Sequence, residues 1–339
     1  VRFRGSYSRA VRAPNVVELF TPQGFNLFDL DEDPCGPAQT ATLAQCTATG
    51  VPADRYGTAG LDSPAGQYNF LQGGNPNLGA EESDTYTVGV VFTPSFLPGF
   101  NASVDFFDIS IDGLISSFGA LNTLNACYER DDQEACDRIN RNPNGQLWVG
   151  SGFVEDLAIN IGGLETKGID FNVNYGLDLA DFGMDRYGQL ALNFSATLLD
   201  EYIVDVGDEA TIYDCVGFYG NQCGTPTPEY RHRARLTWVS PWNVDLSATW
   251  RHMGEVELFV LNGDGGARID RYFDAENYLD LSAAWQVRDN VSFRIGVNNI
   301  LDNDPPLSYS VGTTGNGNTY PQSYDALGQY WFFGLTADF

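Results

Sequence analysis

Short segments in which apolar and polar residues alternate recur along the whole chain. Between residues 291 and 298, for example, Val291, Phe293 and Ile295 alternate with Ser292 and Arg294. A period of two residues predicts a β-strand with one apolar and one polar face. The pattern predicts ten strands, at residues 1–8, 83–94, 100–112, 164–179, 189–205, 230–239, 243–257, 277–288, 291–300 and 329–339.

The connections between these strands alternate strictly between long and short. The long connections are 9–82, 113–163, 206–229, 258–276 and 301–328. In an antiparallel meander every second connection lies at the same end, so all long loops project from one end. Long loops at one end and short turns at the other are typical of bacterial outer-membrane β-barrels, in which the apolar face meets lipid and the polar face lines the lumen. The strands of a soluble β-sandwich would also alternate between apolar and polar residues, but its long and short loops need not lie at opposite ends. A propeller needs an internal repeat of about 40–50 residues, and the sequence contains none.

The composition of the chain argues against some classes of function. The chain has 45 acidic and 18 basic residues and a net charge of −27, which argues against binding nucleic acid because phosphate contacts need clustered Lys and Arg. Most of the excess negative charge lies in the long connections. The sequence contains no run of about 18 apolar residues, so no transmembrane helix is predicted.

The cysteines form three close pairs, each within one long connection. Their spacing is not Cys-x-x-Cys and no histidine lies near them, so a zinc site is improbable. Local disulfides formed in an oxidising compartment fit better. The pairs are Cys35/Cys46, Cys127/Cys136 and Cys215/Cys223.

Four segments carry a family resemblance. They are Tyr7–Asn15 (YSRAVRAPN) followed by Glu18-Leu19-Phe20, Gly74–Leu78 (GNPNL) followed by Glu81-Glu82, Gly296–Asp302 (GVNNILD) followed by Pro305-Pro306, and the terminal strand Gly328–Phe339. In this order they resemble segments of TonB-dependent outer-membrane receptors. The resemblance implies an antiparallel transmembrane β-barrel of about 22 strands around an N-terminal plug, with the ten strands here as the last ten. Because the chain starts in mid-strand without an initiator Met, we expect residues 1–339 to be the C-terminal portion of that barrel, with the plug and the N-terminal strands absent.

The resemblance also implies a function and partners. Such a receptor binds a scarce nutrient at its outer loops, namely a ferric siderophore, cobalamin or an oligosaccharide, and admits it to the periplasm with energy from the TonB complex, which contacts the plug segment. The expected location is the bacterial outer membrane, in contact with lipopolysaccharide, and no cofactor is implied. A passive porin, a barrel hydrolase and a surface adhesin are the alternatives.

The resemblance gives the C-terminal strand a second role. Residues 330–339 have a wholly apolar face, and in the family such a strand is the signal that the outer-membrane assembly machinery reads. The residues that would carry this signal are Tyr330, Trp331, Phe333, Leu335 and Phe339.

Two sets of side chains are candidates for contact with cargo. Aromatic residues in the outer loops could stack on sugar or siderophore rings, although loop packing would use the same residues; they are Tyr56, Tyr68, Trp148, Phe218, Tyr219, Phe259 and Tyr309. Charges on the polar face could contact the plug or a passing substrate, or pair with one another across strands; they are Arg233, Arg235, Asp245, Arg251, Asp280 and Arg294.

Other chemistry has weaker support. Asp29, Asp31 and Asp33 could hold a hard cation such as calcium, but a solvated loop is the favoured interpretation because no further ligands can be named. His232 and His252 are placed on the apolar face, without a serine nucleophile in a recognisable arrangement. We therefore do not expect an enzyme.

Overall fold

The structure is a computed structural model that describes residues 1–207, 212–220, 222–260, 270–308 and 317–338. Its strands are β1 (Arg2–Arg12), β2 (Gly24–Asp29), β3 (Gln67–Gln72), β4 (Glu81–Phe92), β5 (Phe100–Asp112), β6 (Ile115–Ser116), β7 (Ile139–Asn140), β8 (Phe153–Glu155), β9 (Ile159–Asn160), β10 (Gly163–Asp178), β11 (Gln189–Asp205), β12 (Ile212–Asp214), β13 (Phe218–Gly220), β14 (Gly224–Thr227), β15 (Tyr230–Val239), β16 (Val244–Met253), β17 (Val256–Leu258), β18 (Tyr272–Phe273), β19 (Glu276–Arg288), β20 (Val291–Asn298) and β21 (Tyr330–Ala337). The helices are α1 (Val16–Phe20), α2 (Leu43–Ala48), α3 (Ala120–Arg130) and α4 (Gln133–Asp137), with a 3-10 turn at Leu179–Phe182.

The ten predicted strands form one antiparallel sheet, in the order β1-β4-β5-β10-β11-β15-β16-β19-β20-β21. Eight of the predicted ranges agree with the structure to within two residues at each end. The prediction is wrong at two ends: β1 continues to Arg12, and β16 stops at Met253, after which Val256–Leu258 forms a separate strand. In the described chain the sheet is open, because β1 pairs only with β4 and β21 only with β20.

The two faces of the sheet differ as predicted. Residues paired across antiparallel strands share a face, and the register places Val90 beside Val104 and Val104 beside Phe171 on the apolar face. On the polar face Asp105 lies beside Asp170. The fold is that of an antiparallel β-barrel sheet, whose apolar face needs non-aqueous surroundings.

The long and short connections alternate as predicted. The short ones are residues 93–99, 179–188, 240–243 and 289–290, and the long ones are 13–80, 113–162, 206–229, 254–275 and 299–329. Among the described residues, no helix is both long enough and apolar enough to cross a membrane.

The first two long connections fold together into what we call the outer module, residues 13–80 and 113–162. Its sheet has the order β2-β3-β8-β7. Buried residues from both connections form one core around it, including Val51, Leu61 and Tyr68 from the first and Leu124 and Leu147 from the second. The two connections are therefore one packed unit.

A second, smaller core forms where the later long connections meet. Its buried members are Tyr219, Val256, Leu258, Phe273, Tyr320 and Tyr324. This core joins residues 206–229, 254–275 and 299–329 above the same end of the sheet.

Candidate functional site

The cysteine prediction is confirmed in full. The structure contains the disulfides Cys35–Cys46, Cys127–Cys136 and Cys215–Cys223. Each closes a short stretch of one long connection, with sequence separations of 11, 9 and 8 residues.

A buried ion pair crosses the core of the outer module. The side chains of Asp33 and Arg141 are both 0% exposed, with Arg141 Nη1 2.7 Å from Asp33 Oδ2 and Nη2 2.8 Å from Oδ1. Arg141 also donates to the Gly145 carbonyl and the Tyr128 hydroxyl. Burial alone would lower the pKa of Arg141, but its hydrogen bonds with Asp33 outweigh that cost and the pKa is raised.

This pair involves one of the three aspartates that the sequence analysis considered as ligands for a cation. Asp33 is occupied by Arg141, whereas Asp29 and Asp31 are exposed. Within the described part of the chain, no group of three or more His, Cys, Asp or Glu side chains is arranged to hold a metal ion. The three aspartates therefore do not converge on one point.

The predicted aromatic residues of the outer module serve its packing. Tyr68 is 0% exposed, and its hydroxyl accepts a hydrogen bond from the Ser63 amide. Burial raises the pKa of Tyr68 to about 12. Tyr56 donates to the Ala41 carbonyl and Trp148 Nε1 to the Leu61 carbonyl. Ligand contact by Tyr68 stays a prediction, and in this arrangement its side chain is fully buried.

The predicted aromatic residues of the later long connections also take part in packing. Tyr219 is 0% exposed and stacks on Phe273 with 4.3 Å between ring centroids. Phe218 and Phe259 meet edge to face at 5.5 Å. Ligand contact by Tyr219 likewise stays a prediction, while Tyr309 lies outside the described residues.

The predicted charges lie together on the polar face of four neighbouring strands. Arg233 stands opposite Arg251, and Asp280 stands opposite Thr249, which in turn faces Arg235. The remaining members lie on the same face, Asp245 on β16 and Arg294 on β20.

Arg251 is the centre of this group. It donates to both oxygens of Asp280 at 2.8 and 2.9 Å, and to both oxygens of Asp325 at 2.9 and 2.6 Å. Its guanidinium also lies 4.9 Å from the ring centroid of Tyr278. Sequence reasoning missed Asp325 because it lies in a long connection, where alternation cannot assign a side chain to a face.

A second charge pair depends on a glycine. Arg4 on β1 pairs with Asp105 on β5, although β4 lies between them. The residue of β4 at this level is Gly89, where a Cβ would collide with Asp105 Oδ1. The missing side chain is therefore what lets the two charges meet across a strand.

The motif residues of the family resemblance form the joint between sheet and outer module. Asn15 caps α1 in a capping box with Glu18. Arg12 pairs with both Glu18 and Glu81, and Glu81 accepts a hydrogen bond from the Ile115 amide. These contacts hold the start of both connections against the ends of β1 and β4.

The two histidines lie on the apolar face, as predicted. The rings of His232 and His252 stack at 5.1 Å, and Trp250 meets His232 edge to face at 4.3 Å. His252 Nδ1 lies 2.9 Å from Asn277 Oδ1. The group sits at the long-loop ends of β15 and β16 and contributes aromatic packing there.

The terminal strand presents the residues of the predicted assembly signal. Trp331, Phe333 and Leu335 share the apolar face with Val297, Ile295 and Phe293, and Phe333 and Leu335 are 67% and 72% exposed. Tyr330 is on the opposite face, and Phe339 lies outside the described residues.

Comparison with known proteins identifies the family of this chain. The family model described as "TonB dependent receptor-like, beta-barrel" matches residues 1–300. A mutant of the ferric enterobactin receptor PfeA of Pseudomonas aeruginosa superposes with a TM-score of 0.57 at 15% identity, covering 99% of this chain and 38% of the receptor. The siderophore receptor PirA of Acinetobacter baumannii gives 0.56 at 16% identity, covering 99% of this chain and 39% of the receptor. No curated protein sequence matches significantly. At such identities the structures establish the fold alone, and the chain spans less than two fifths of their length. The match of the family model over most of the chain establishes that it belongs to the TonB-dependent receptor β-barrel family.

Proposed function

We propose that this chain is part of the barrel of an outer-membrane receptor that binds a scarce nutrient and admits it to the periplasm with energy from TonB. One observation carries the proposal: a sheet of this family has one apolar face, one face rich in charges, and all its long loops at one end. The apolar face then meets lipid and the polar face lines the lumen. A ferric siderophore is the favoured cargo, because the structures compared above are named as a ferric enterobactin receptor and a siderophore receptor. Cobalamin and oligosaccharides remain the other classes to test.

The barrel is proposed to be larger than the ten strands. Open sheet edges are costly in lipid, since their unpaired backbone groups have no water to bind. A ten-stranded chain that covers 38% of a receptor with the same fold fits the last ten strands of about 22. The plug and the segment that contacts TonB would then belong to the remainder of the receptor.

Two further partners follow from the faces of the sheet. The apolar face of β21, with Phe333 and Leu335, is proposed to be read by the outer-membrane assembly machinery. The apolar face as a whole is proposed to contact lipid and lipopolysaccharide.

Uptake by a deletion strain tests the function. The strain is complemented with the full-length receptor and offered ferric siderophores, cobalamin and oligosaccharides, each labelled. We expect one class to accumulate in the periplasm only when the receptor and a functional TonB are both present. Uptake that persists without TonB would indicate a passive porin instead, and surface binding without any uptake would indicate an adhesin.

A further inference from the structure

A groove crosses the apolar face of the sheet between β15 and β21. Its volume is about 410 Å³, and among the described residues no charged side chain lines it. Large apolar side chains form its walls, namely Leu236, Trp238, Leu246, Leu281, Ile295 and Trp331. The groove therefore has room for an uncharged, apolar group.

Two alanines form the floor of this groove. Ala248 on β16 lies between two leucines in one row of paired residues, and Ala283 on β19 lies between a leucine and an isoleucine in the next row. The two alanines are diagonal neighbours across β16 and β19, and such neighbours are about 7–8 Å apart. Their short side chains therefore form one elongated depression. It ends at Trp250 and Trp285, which are 48% and 49% exposed.

One wall of the groove lies beside the short connections. Trp238 Nε1 donates to the Tyr187 carbonyl at 2.6 Å, and the Trp238 ring meets Trp242 edge to face at 5.8 Å. Tyr187 and Trp242 belong to the short connections 179–188 and 240–243. Because Trp and Tyr are enriched where a membrane meets water, this aromatic group marks the membrane boundary at the short-turn end. From there the groove extends towards the middle of the strands, at the depth of acyl chains.

The same boundary carries one exposed charge of each sign. Asp185 and Arg186 directly precede Tyr187, and both are exposed. Arginine binds phosphate groups well, and a carboxylate pairs with an ammonium group. The headgroup of phosphatidylethanolamine contains one phosphate and one ammonium group. The two side chains therefore complement the charges of a zwitterionic phospholipid at this level.

We propose that the groove binds one acyl chain of a zwitterionic phospholipid, whose headgroup lies at the short-turn boundary, more tightly than the rest of the apolar face binds lipid. A chain in the groove contacts protein on its floor and on both walls, whereas a chain on a flat face contacts protein on one side only. More apolar contact gives tighter binding. The inference rests on the proposed function, since the apolar face meets lipid only if the ten strands are part of a membrane barrel.

Binding is measured by native mass spectrometry of the purified full-length receptor, titrated in detergent with phosphatidylethanolamine. We expect one lipid to bind saturably before any other. Ala283→Phe fills the floor and should weaken this first binding about tenfold, which corresponds to roughly two methylene groups that lose their apolar contact. Ala102→Phe, the same change on the apolar face of β5, is the matched control and should leave it unchanged. The proposal is overturned if the wild type has no such first lipid, or if Ala283→Phe binds it equally well.

Further variants and probes separate the other possible occupants. Ala283→Val fills less of the floor and gives the same comparison if Ala283→Phe does not fold, as judged by the folded band in gel electrophoresis. Arg186→Gln should also weaken the first binding. Lipopolysaccharide that displaces the first lipid at equal concentration would assign the groove to the other leaflet and overturn the proposal. A wild-type dimer that Ala283→Phe abolishes would assign it to a second copy and overturn it too. None of these measurements involves uptake, so failure here is distinguishable from failure of the proposed transport function.

Discussion

The ion pair at the centre of the outer module can be tested by Asp33→Asn. The substitution keeps the shape of the side chain but leaves the Arg141 charge buried without its counter-charge. Breaking one partner of a buried pair typically costs about 3–5 kcal/mol. We take the lower end, about 3 kcal/mol, because Arg141 keeps its bonds to Gly145 and Tyr128.

Opening of the module can be followed through its buried disulfide. Cys35 and Cys46 are both fully buried, so a reductant reaches the bond only when the module opens. At about 1.4 kcal/mol per factor of ten, a loss of 3 kcal/mol raises the open population roughly a hundredfold. We expect the reduction rate of Cys35–Cys46, measured by quenched alkylation and mass spectrometry, to rise by about that factor.

Two controls make the result specific. Cys215–Cys223 lies outside the outer module and should be reduced at its wild-type rate in the same sample. Glu134→Gln breaks a pair in which Glu134 is 81% exposed, and such surface pairs contribute about 0–1 kcal/mol. A change of less than about threefold in Asp33→Asn would refute the conclusion that this pair stabilises the module.

Three further predictions concern pH, packing and the lipid face. Burial raises the pKa of Asp156 in the outer module, so its ionised form destabilises the folded state, and stability should rise as the pH falls towards the ordinary aspartate pKa of about 3.9. Near pH 7 the outer module of Asp156→Asn should therefore be more stable than that of the wild type, and the Cys35–Cys46 disulfide should be reduced more slowly by a phosphine. This difference should disappear near pH 4, and a difference that persists there would contradict burial of the charge as its cause. Gly89→Ala should disturb the Arg4–Asp105 pair and cost about 1–3 kcal/mol, seen as a lower temperature for loss of the folded band in gel electrophoresis, whereas an unchanged temperature would mean that the strands shift freely. Phe333→Arg on the apolar face should cost up to about 2–4 kcal/mol if it lies near the bilayer midplane and reduce the receptor found in the outer membrane, while Ser292→Arg on the polar face should not; equal losses would mean that the faces are misassigned.

The sheet could be predicted from the sequence because the two faces of each strand lie in different surroundings. That difference imposes the period of two, as in Val291–Asn298, and the register then follows from matching faces. The end of β1 was missed because Arg9 interrupts the apolar face, although Arg9 and Arg12 pair with Glu82 and Glu81 on β4.

The loops could not be predicted in this way. Asp33 and Arg141 are 108 residues apart in sequence, and no local pattern signals that they meet. In the sequence, Tyr68 and Tyr219 cannot be distinguished from exposed tyrosines that bind a ligand. Only the packing of separate connections against one another determines that they are buried. The position of Asp325 on Arg251 is likewise a tertiary contact without a local signature.

The short span of each disulfide has a consequence for the order in which the protein folds. Bonds that join residues only 8 to 11 positions apart need no strand of the sheet to be in place, and closing such small loops is fast. The Asp33–Arg141 contact, by contrast, requires both long connections at the same end of the sheet, which the β4–β5 hairpin provides. We therefore expect the cysteines to be oxidised while the chain is still in transit, and the outer module to assemble from two pre-closed loops once that hairpin has inserted.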